Sequence, residues 1–515
     1  MKNIFTILFI LFSQILFGQY WEKNYFSDIK IYGRKAFETY DGGVLTIGFE
    51  KIDNTTLAGS IILIKTDQNG VELFRKSIGD VSDDFGAKFY QTSDNGFIIY
   101  GEEFKYDNGN SFLMKFNTCF ELEWTRVFGT PNEYDVVWDM VELADGSFYT
   151  VNFFESDRIR VFKISAEGKV MFEKNFLPNG FDSQLGRNYG NAWARNISLT
   201  HDKGLLLGGN VYIEDYNFGG QYTLKSFVLK LDSTGNREWL YAFGVDSGYF
   251  NNQAEPIELA DSSILVFCNY SNYPGVDGMV SYAYKLNKNG ELLWDKLIDS
   301  VSQSNMDKVL LNDTTIYLLT STNASQSSID VEGRVRVLKI DTSGVLLDSA
   351  TYAQDKYSTT AESITATADQ KLLICGQQYD NYITSAYVLK IQADLSIDTF
   401  STAVLSYDYL CAEPIMSGHI PFDTALSIIH ISNIEYELKV YPNPSQSYVY
   451  FEIEANKSLE YSLNIYNAIG SLVYTQKEVK DKLLKVNVVD LSNGIYYYSI
   501  GYKNELVGSG KFVKQ

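Results

Sequence analysis

Short apolar runs, each closed by a polar turn, follow one another along residues 20–432 and recur as one phrase. In each repeat an apolar run ends in a lysine: Lys65, Lys115, Lys163, Lys230, Lys285, Lys339 and Lys390, at spacings of 50, 48, 67, 55, 54 and 51 residues. Gly70, Gly168, Gly235, Gly290 and Gly344 stand five residues after their lysines, and four residues beyond that turn position come Phe74, Trp124, Phe172, Trp239 and Trp294. Upstream of each lysine a second turn opens on Asp41, Asp94, Asp145, Asp202, Asp261, Asp313 or Asp369, followed by a hydrophobic run such as 44–48 or 372–376. Runs this short, bounded by Asp- and Gly-bearing turns, are strands. Each unit holds four: A before the Asp turn, B after it, C ending at the lysine, and D beginning at the aromatic. Seven complete four-stranded repeats predict an all-β chain folded as a β-propeller, whose blades bury their faces on one another. The D-strand aromatics are then wedges between blades.

The ends of the array bear on closure. Residues 21–26 resemble 172–176, a D strand, while 409–412 and 426–429 resemble A and B strands. Joining the two ends shields both open edges, as a sealed seventh blade or a split eighth, with seven favoured. In such a ring the A–B and C–D turns share one face, and here they are short and uniform. The B–C and D–A connections share the other face and vary in length. Around the fourth unit, 210–225 carries Tyr212, Tyr216, Phe218 and Tyr222, and 177–191 is a second long connection; 270–281 and 321–334 are others. Variable loops on a rigid scaffold are where binding resides, so these four aromatics are the candidate ligand face, with the tyrosines as stacking surfaces for sugar rings. The competing reading has the loop burying its own rings. The units resemble β-propeller repeats of exported bacterial surface proteins. The Asp-x-x-Gly-x-x-x-Trp phrase at 232–239 resembles the tryptophan-docking motif of quinoprotein dehydrogenases, a packing device in that family.

After Asn433 the repeat phrase stops. Residues 438–444 read as a strand ending in a turn stiffened by two prolines, and alternating runs at 448–453, 461–466, 472–474, 484–488, 494–500 and 510–513 follow. About seven short strands predict a small immunoglobulin-like β-sandwich over 437–515. Four ordered motifs lie within it: Tyr441, Pro442, Asn443 and Pro444; then Ile465, Tyr466, Gly470 and Val473; then Leu491, Ser492, Gly494 and Tyr496; then Lys511 and Lys514. Together they closely resemble the type A C-terminal sorting domain of type IX secretion. That resemblance implies passage through the periplasm and across the outer membrane of a Bacteroidota-type cell. It also implies removal of the tail by a sortase-like peptidase, with release or attachment to surface glycolipid.

The remaining features narrow the function classes. Met1–Lys2–Asn3 and the apolar run 4–17 predict a signal peptide over 1–19, and no later run is apolar enough to span a bilayer. From 437 onward nine Lys face eight acids, whereas the segment between leader and tail carries 33 basic and 56 acidic residues. So acidic a surface argues against nucleic acid and anionic membranes as partners. Cys119, Cys268, Cys375 and Cys411 show no metal-ligand spacing; Cys268 and Cys375 read as buried strand residues, and pairing is open. Three His, none beside a nucleophile phrase, and no HExxH or GxSxG leave no catalytic residues, metal ligands or cofactor to name. The chain reads as a secreted or surface-displayed binding or adhesion protein for a glycan or another extracellular protein. The alternative is a propeller enzyme acting on extracellular polysaccharide, or a quinoprotein-like oxidoreductase.

Overall fold

Alternating apolar positions and tight polar turns make each repeat a four-stranded antiparallel sheet. Blade 1 shows the plan: Lys30–Glu38, Val44–Lys51, Gly59–Thr66 and Glu72–Ile78 pair in sequence order. The computed structural model describes residues 20–515 except 28–29, 52–58, 80–83, 106–107, 130–134, 155–157, 177–179, 183–186, 216–219, 245–249, 272–278, 301–303, 323–333, 354–357, 381–382, 422–427, 431–435, 456–460, 468–470 and 503–504. The predicted leader, 1–19, lies outside the described residues. Seven such sheets form the ring. Their A strands are Lys30–Glu38, Asp84–Gln91, Asp135–Glu142, Arg187–Leu199, Phe250–Glu258, Ser304–Leu311 and Thr359–Ala366; each lies against the next, and the seventh lies against the first. Between blades 1 and 2 a file of rings, Phe37, Phe89, Phe97 and Phe116, stacks at centroid spacings of 4.5, 5.0 and 5.0 Å. Buried aromatic area of this kind is the main attraction between blades.

The lysine and aspartate of the repeat phrase are partners. Lys65 reaches Asp41 at 2.7 Å, Lys115 reaches Asp94 at 2.8 Å, and Lys230 reaches Asp202 at 3.0 Å, each tying the end of a C strand to its own A–B turn. The residue two after the aspartate decides how close the pair comes. In blades 1, 2 and 4 it is Gly43, Gly96 or Gly204; a Cβ built at Gly43 meets Lys65 Nζ at 3.0 Å, and at the other two the ammonium is closer still. In blades 3 and 5 it is Ser147 or Ser263, whose hydroxyl donates to the aspartate instead, and Lys285 stays 3.8 Å from Asp261. Blade 6 departs further. Asn312 and Asp313 both take positive φ, so Asp313 sits in a tighter hairpin than the other six turns, and Lys339 donates to the Ala393 carbonyl of blade 7.

The D-strand aromatics lie on the C–D turn of the following blade. Trp124 Nε1 donates to Ala166 O at 3.0 Å and Trp239 Nε1 to Lys288 O at 3.1 Å. A Cβ at Gly168 would lie 2.8 Å from the Trp124 ring, and at Gly290 2.6 Å from that of Trp239, so glycine serves both the close approach and the positive φ of 77° and 80°. Where glycine is missing, Phe120 and Leu395 take the left-handed conformation themselves, and Phe120 packs edge-on against Phe74 at 4.9 Å.

The same contact closes the ring. Glu22–Tyr25 supplies the outer strand of blade 7, paired with Ile383–Ile391, and Trp21 donates to Gln68 O of blade 1 at 2.6 Å. The seventh blade is thus sealed by the N-terminal strand, and among the described residues there is no eighth blade. The expected A and B strands after it are corrected: 409–412 is a run of turns and bends, and Gly418–Ile420 and Ile428–His430 add short parallel strands outside blades 1 and 2. Both lack partners for an eighth sheet because blade 7 is already complete. Residues 397–420 form a strap across the uniform-turn face. Asn69 holds Ser401, the Asp408 N–H donates to Asp41 at 3.0 Å, and Cys411 is disulfide-bonded to Cys119 in the C–D turn of blade 2. Cys268 and Cys375 are buried in their strands and are not disulfide-bonded.

The tail folds as two sheets. Tyr436–Tyr441, Tyr448–Ala455 and Leu483–Asn487 make one; Leu472–Val479, Tyr461–Tyr466, Gly494–Tyr502 and Glu505–Lys514 make the other. Val449, Phe451, Leu463, Ile465, Tyr498 and Phe512 fill the space between them. Among the described residues no helix is long and apolar enough to cross a membrane.

Two outcomes follow for stability. Asp41→Asn strands a fully buried ammonium, so it should cost about 3–5 kcal/mol, whereas Asp261→Asn, at an exposed and longer contact, should cost about 1 kcal/mol or less; chemical denaturation measures both. Acid should act through the turn carboxyls. Burial by itself raises Asp202, but donors from Thr200, Lys230 and Gly204 outweigh it and hold the group low. Burial likewise raises Asp232, and the Asn236 and Thr234 N–H groups bring it down to about 2. A carboxyl depressed by folding stabilises the fold above its unfolded value and loses that contribution as pH falls through its folded value. Melting temperature should therefore decline between about pH 4 and pH 2, and a flat profile there would contradict the assignment.

Candidate functional site

Three places on the ring gather chemistry. The first is the central channel, where bulges in the A strands turn extra residues toward the blade seams: Arg34, Trp138, Arg195 and Glu362 each stand at a register shift. Arg34 pairs with Glu362 at 3.1 Å, joining blades 1 and 7. The Arg195 guanidinium and the Lys88 ammonium lie 5.0 and 5.8 Å from the Trp138 ring. Lys308 of blade 6 pairs with Glu255 of blade 5 at 2.5 Å. Burial alone lowers the Lys308 ammonium, but the Glu255 carboxylate outweighs it and keeps the lysine charged. Asp139 accepts from Tyr100 of blade 2 and from the Ile197 N–H of blade 4, each at 3.0 Å, and Asp307 accepts from the Ile364 N–H of blade 7 at 3.0 Å. These channel carboxylates are links between blades.

The second place is the rim of blades 3 and 4 on the variable-loop face. The B and C strands of blade 4 run on to Asp215 and from Gln221, so most of the expected 210–225 loop is a projecting hairpin. Much of the expected 177–191 connection is also strand, with Gly180–Asp182 paired to the start of Arg187–Leu199. Tyr212 and Tyr222 are exposed on the hairpin, at 39% and 51% of their surface. Both flank Gly190, where a Cβ would meet Tyr212 at 3.6 Å and Tyr222 at 3.8 Å. Trp193 joins them, edge-on to Tyr212 at 5.8 Å and to Phe153 of blade 3 at 6.5 Å. Tyr216 and Phe218 lie outside the described residues. Trp193 and Phe153 escaped the sequence reading because they stand in strands; their cue was two large aromatics at the same rim of adjacent units.

The third place is a cleft of about 540 Å³ on the opposite, uniform-turn face, at the seam of blades 7 and 1 beneath the strap. Glu38, Gln91, Asp369, Lys371, Lys390 and Ser401 are among the residues around it. It was missed because the strap read as two blade strands. The signal for it was Lys371, standing where blades 1, 2 and 4 carry glycine.

In the tail, motifs far apart in sequence meet. The Asn443 side chain accepts from Val513 N–H at 2.9 Å and donates to Lys511 O at 3.5 Å, and Tyr441–Pro442 and Asn443–Pro444 are both cis. Tyr496 is buried and donates to Ser492 O at 2.8 Å, Leu491 packs on the core, and Lys514 Nζ lies 3.5 Å from Asn493 Oδ1. Gly494 has open space around it, and Gly470 lies outside the described residues.

No curated protein matches the sequence. Among solved structures, a protein of unknown function from Dyadobacter fermentans shares 9% identity at a TM-score of 0.41, over 71% of this chain and 96% of that one. An α-L-arabinofuranosidase from Fusarium graminearum shares 12% at 0.35, over 71% and 94%. An endo-arabinanase from Bacillus licheniformis shares 13% at 0.30, over 50% and 94%. Residues 439–515 match the family described as a secretion system C-terminal sorting domain. This tail is a type IX sorting domain, and the chain is handled by the type IX machinery and exported to the cell surface or secreted.

Proposed function

We propose that the chain is an extracellular binding scaffold: a signal peptide over 1–19, a propeller over 20–432 that holds a glycan or another extracellular protein, and a sorting tail over 437–515. The four motifs of the tail, from Tyr441–Pro442–Asn443–Pro444 to Lys511 and Lys514, are the sorting signal, and a sortase-like peptidase removes the tail at the surface of a Bacteroidota-type cell. The observation that carries the binding reading is the exposed pair Tyr212 and Tyr222 around Gly190, with the half-buried Trp193 edge-on to Tyr212, on the variable-loop face. Rings in such a group present flat apolar faces with polar edges, the surface that a sugar ring or an interface loop covers with least ordering of side chains. An enzyme working in the channel would need an uncommitted carboxylate or cofactor ligand. Asp139, Asp307, Glu255 and Glu362 are each held by a neighbouring blade, which supports binding over the polysaccharide-enzyme and quinoprotein-like alternatives.

A glycan array probed with the purified chain tests this reading. Trp193→Ala and the double variant Tyr212→Ala/Tyr222→Ala should each weaken retained binding about ten-fold or more, the scale of an interface anchor. Undiminished binding by variants with an unchanged circular dichroism spectrum would remove the aromatic rim from the site.

A further inference from the structure

The A strands end in a contact that recurs between neighbouring blades. Glu142, the last residue of its A strand in blade 3, accepts from the Ser93 N–H at 2.7 Å and from the Ser93 hydroxyl at 2.8 Å, so the A–B turn of blade 2 takes both its oxygens. Glu258 ends the A strand of blade 5 and accepts the His201 N–H of blade 4 at 2.6 Å, with the His201 ring nitrogen 3.5 Å away. Glu38 repeats the contact at the seam of blades 7 and 1, but its turn residue is Ala368. The Ala368 N–H reaches Glu38 Oε2 at 2.7 Å, and a methyl stands where Ser93 has its hydroxyl. Among the described residues Glu38 Oε1 makes no hydrogen bond or ion pair. Glu38 borders the cleft of about 540 Å³ under the strap, which opens between the last A-strand residues of blades 7, 1 and 2: Ala366, Glu38 and Gln91.

The charges around the cleft do not balance. Three carboxylates, Glu38, Asp369 and Asp398, face two ammoniums, Lys371 and Lys390. Lys371 takes Asp369 at 3.1 Å and Asp398 at 2.9 Å. Burial by itself raises Asp369, but the Thr367 hydroxyl, Lys371 and the nearby charge of Lys390 outweigh it and hold that carboxyl low. Both lysines are committed to the two aspartates, and Glu38 is the charge left over.

We propose that this cleft binds an amino sugar, whose ammonium completes Glu38 Oε1 and whose hydroxyls lie among the neighbouring polar side chains. A protonated amine both neutralises the surplus carboxylate and donates the hydrogen bond that the Ser93 hydroxyl gives Glu142. The Gln91 amide and the Thr399 hydroxyl border the cleft and make no hydrogen bond among the described residues, so both remain for ring hydroxyls. Tyr40 and Leu405 supply apolar surface for one face of the ring. The volume lies within the range of small-ligand pockets, about 300–1,000 Å³, and suits a mono- or disaccharide. A net charge of −21 on the whole chain draws cations rather than anions toward it. The strap that roofs the cleft is fixed at Asn69 and at the Cys119–Cys411 bridge, so the site is formed before ligand arrives. It lies on the face opposite Trp193, Tyr212 and Tyr222 and does not rest on their role.

Calorimetric titration of the purified, oxidised chain with glucosamine at about pH 6, where the amine carries its proton, decides the matter. Glucose, N-acetylglucosamine and ethanolamine serve as controls. Saturable binding of glucosamine is expected, with each control weaker by about ten-fold or more, since the first two lack the ammonium and the third lacks the ring. Glu38→Gln should weaken glucosamine by about ten-fold or more while still accepting the Ala368 N–H. Ala368→Ser should do the same with Glu38 untouched, because the added hydroxyl donates to Oε1 as Ser93 does to Glu142. Ala368 is exposed, so that second variant keeps the test alive if Glu38→Gln does not fold. No glucosamine binding up to about 10 mM, a range that would catch even weak millimolar affinity, overturns the proposal. So does equal binding of any control, or unchanged glucosamine affinity in Ala368→Ser.

Discussion

The frame of blades 1, 2 and 4 depends on one demand: an ammonium carried into the end of a C strand must be met by a carboxylate from the A–B turn. Lys65 and Asp41 are both buried in blade 1, and their pairing fixes where the first hairpin stops and how the third strand lies beside it. Position within the turn follows from that contact. Asp41 also accepts Thr39 Oγ1 and Gly43 N–H, so one side chain organises the turn, the strand end and the cation together. Because the ammonium needs room, the residue two after the aspartate is coupled to a lysine 19 to 26 positions later. Substituting serine, as in blades 3 and 5, moves the organising role to a hydroxyl and lets the lysine drift outward. What passes for small variation in a repeat is a choice between two ways of satisfying one carboxylate.

Around that frame the two faces have diverged. On one, hairpins extend and aromatic side chains reach solvent; on the other, turns stay short and are overlaid by the chain returning from the seventh blade. The channel between them is crossed by ion pairs and by carboxylates that accept backbone N–H groups from the next blade. Such links hold the A strands in place, and small residues let neighbouring blades touch by their backbones: Gly33 of an A strand lies against Gly376 of blade 7, and Gly208 of a B strand against Ala254 of blade 5.

Much of this was legible in the residues. Lysine, aspartate and tryptophan spacing led to four strands per unit, to wedge aromatics and to an N-terminal D strand, because each of those features is local or repeats at a fixed offset. Tail motifs were equally readable, since their order is preserved along a single short segment. The failures were non-local. Residues 409–412 and 426–429 have the apolar content of strands, yet blade 7 had no open edge left once Trp21 and Glu22–Tyr25 were seated, so 409–412 became turns and bends and 428–430 an edge strand outside blade 2. Pairing of Cys119 with Cys411 followed from that route across the face and from nothing near either cysteine. Trp193 is hidden for the reverse reason: it stands inside a long A strand with no local mark, and only the neighbouring hairpin brings Tyr212 to its edge.

The strap has a consequence for what export leaves behind. The fastenings that close the ring, from Trp21 on the first blade to the covalent link at Cys411 and the short edge strand ending at His430, lie before residue 431. If the tail is removed after His430, as proposed, the propeller left behind is one already closed by these contacts.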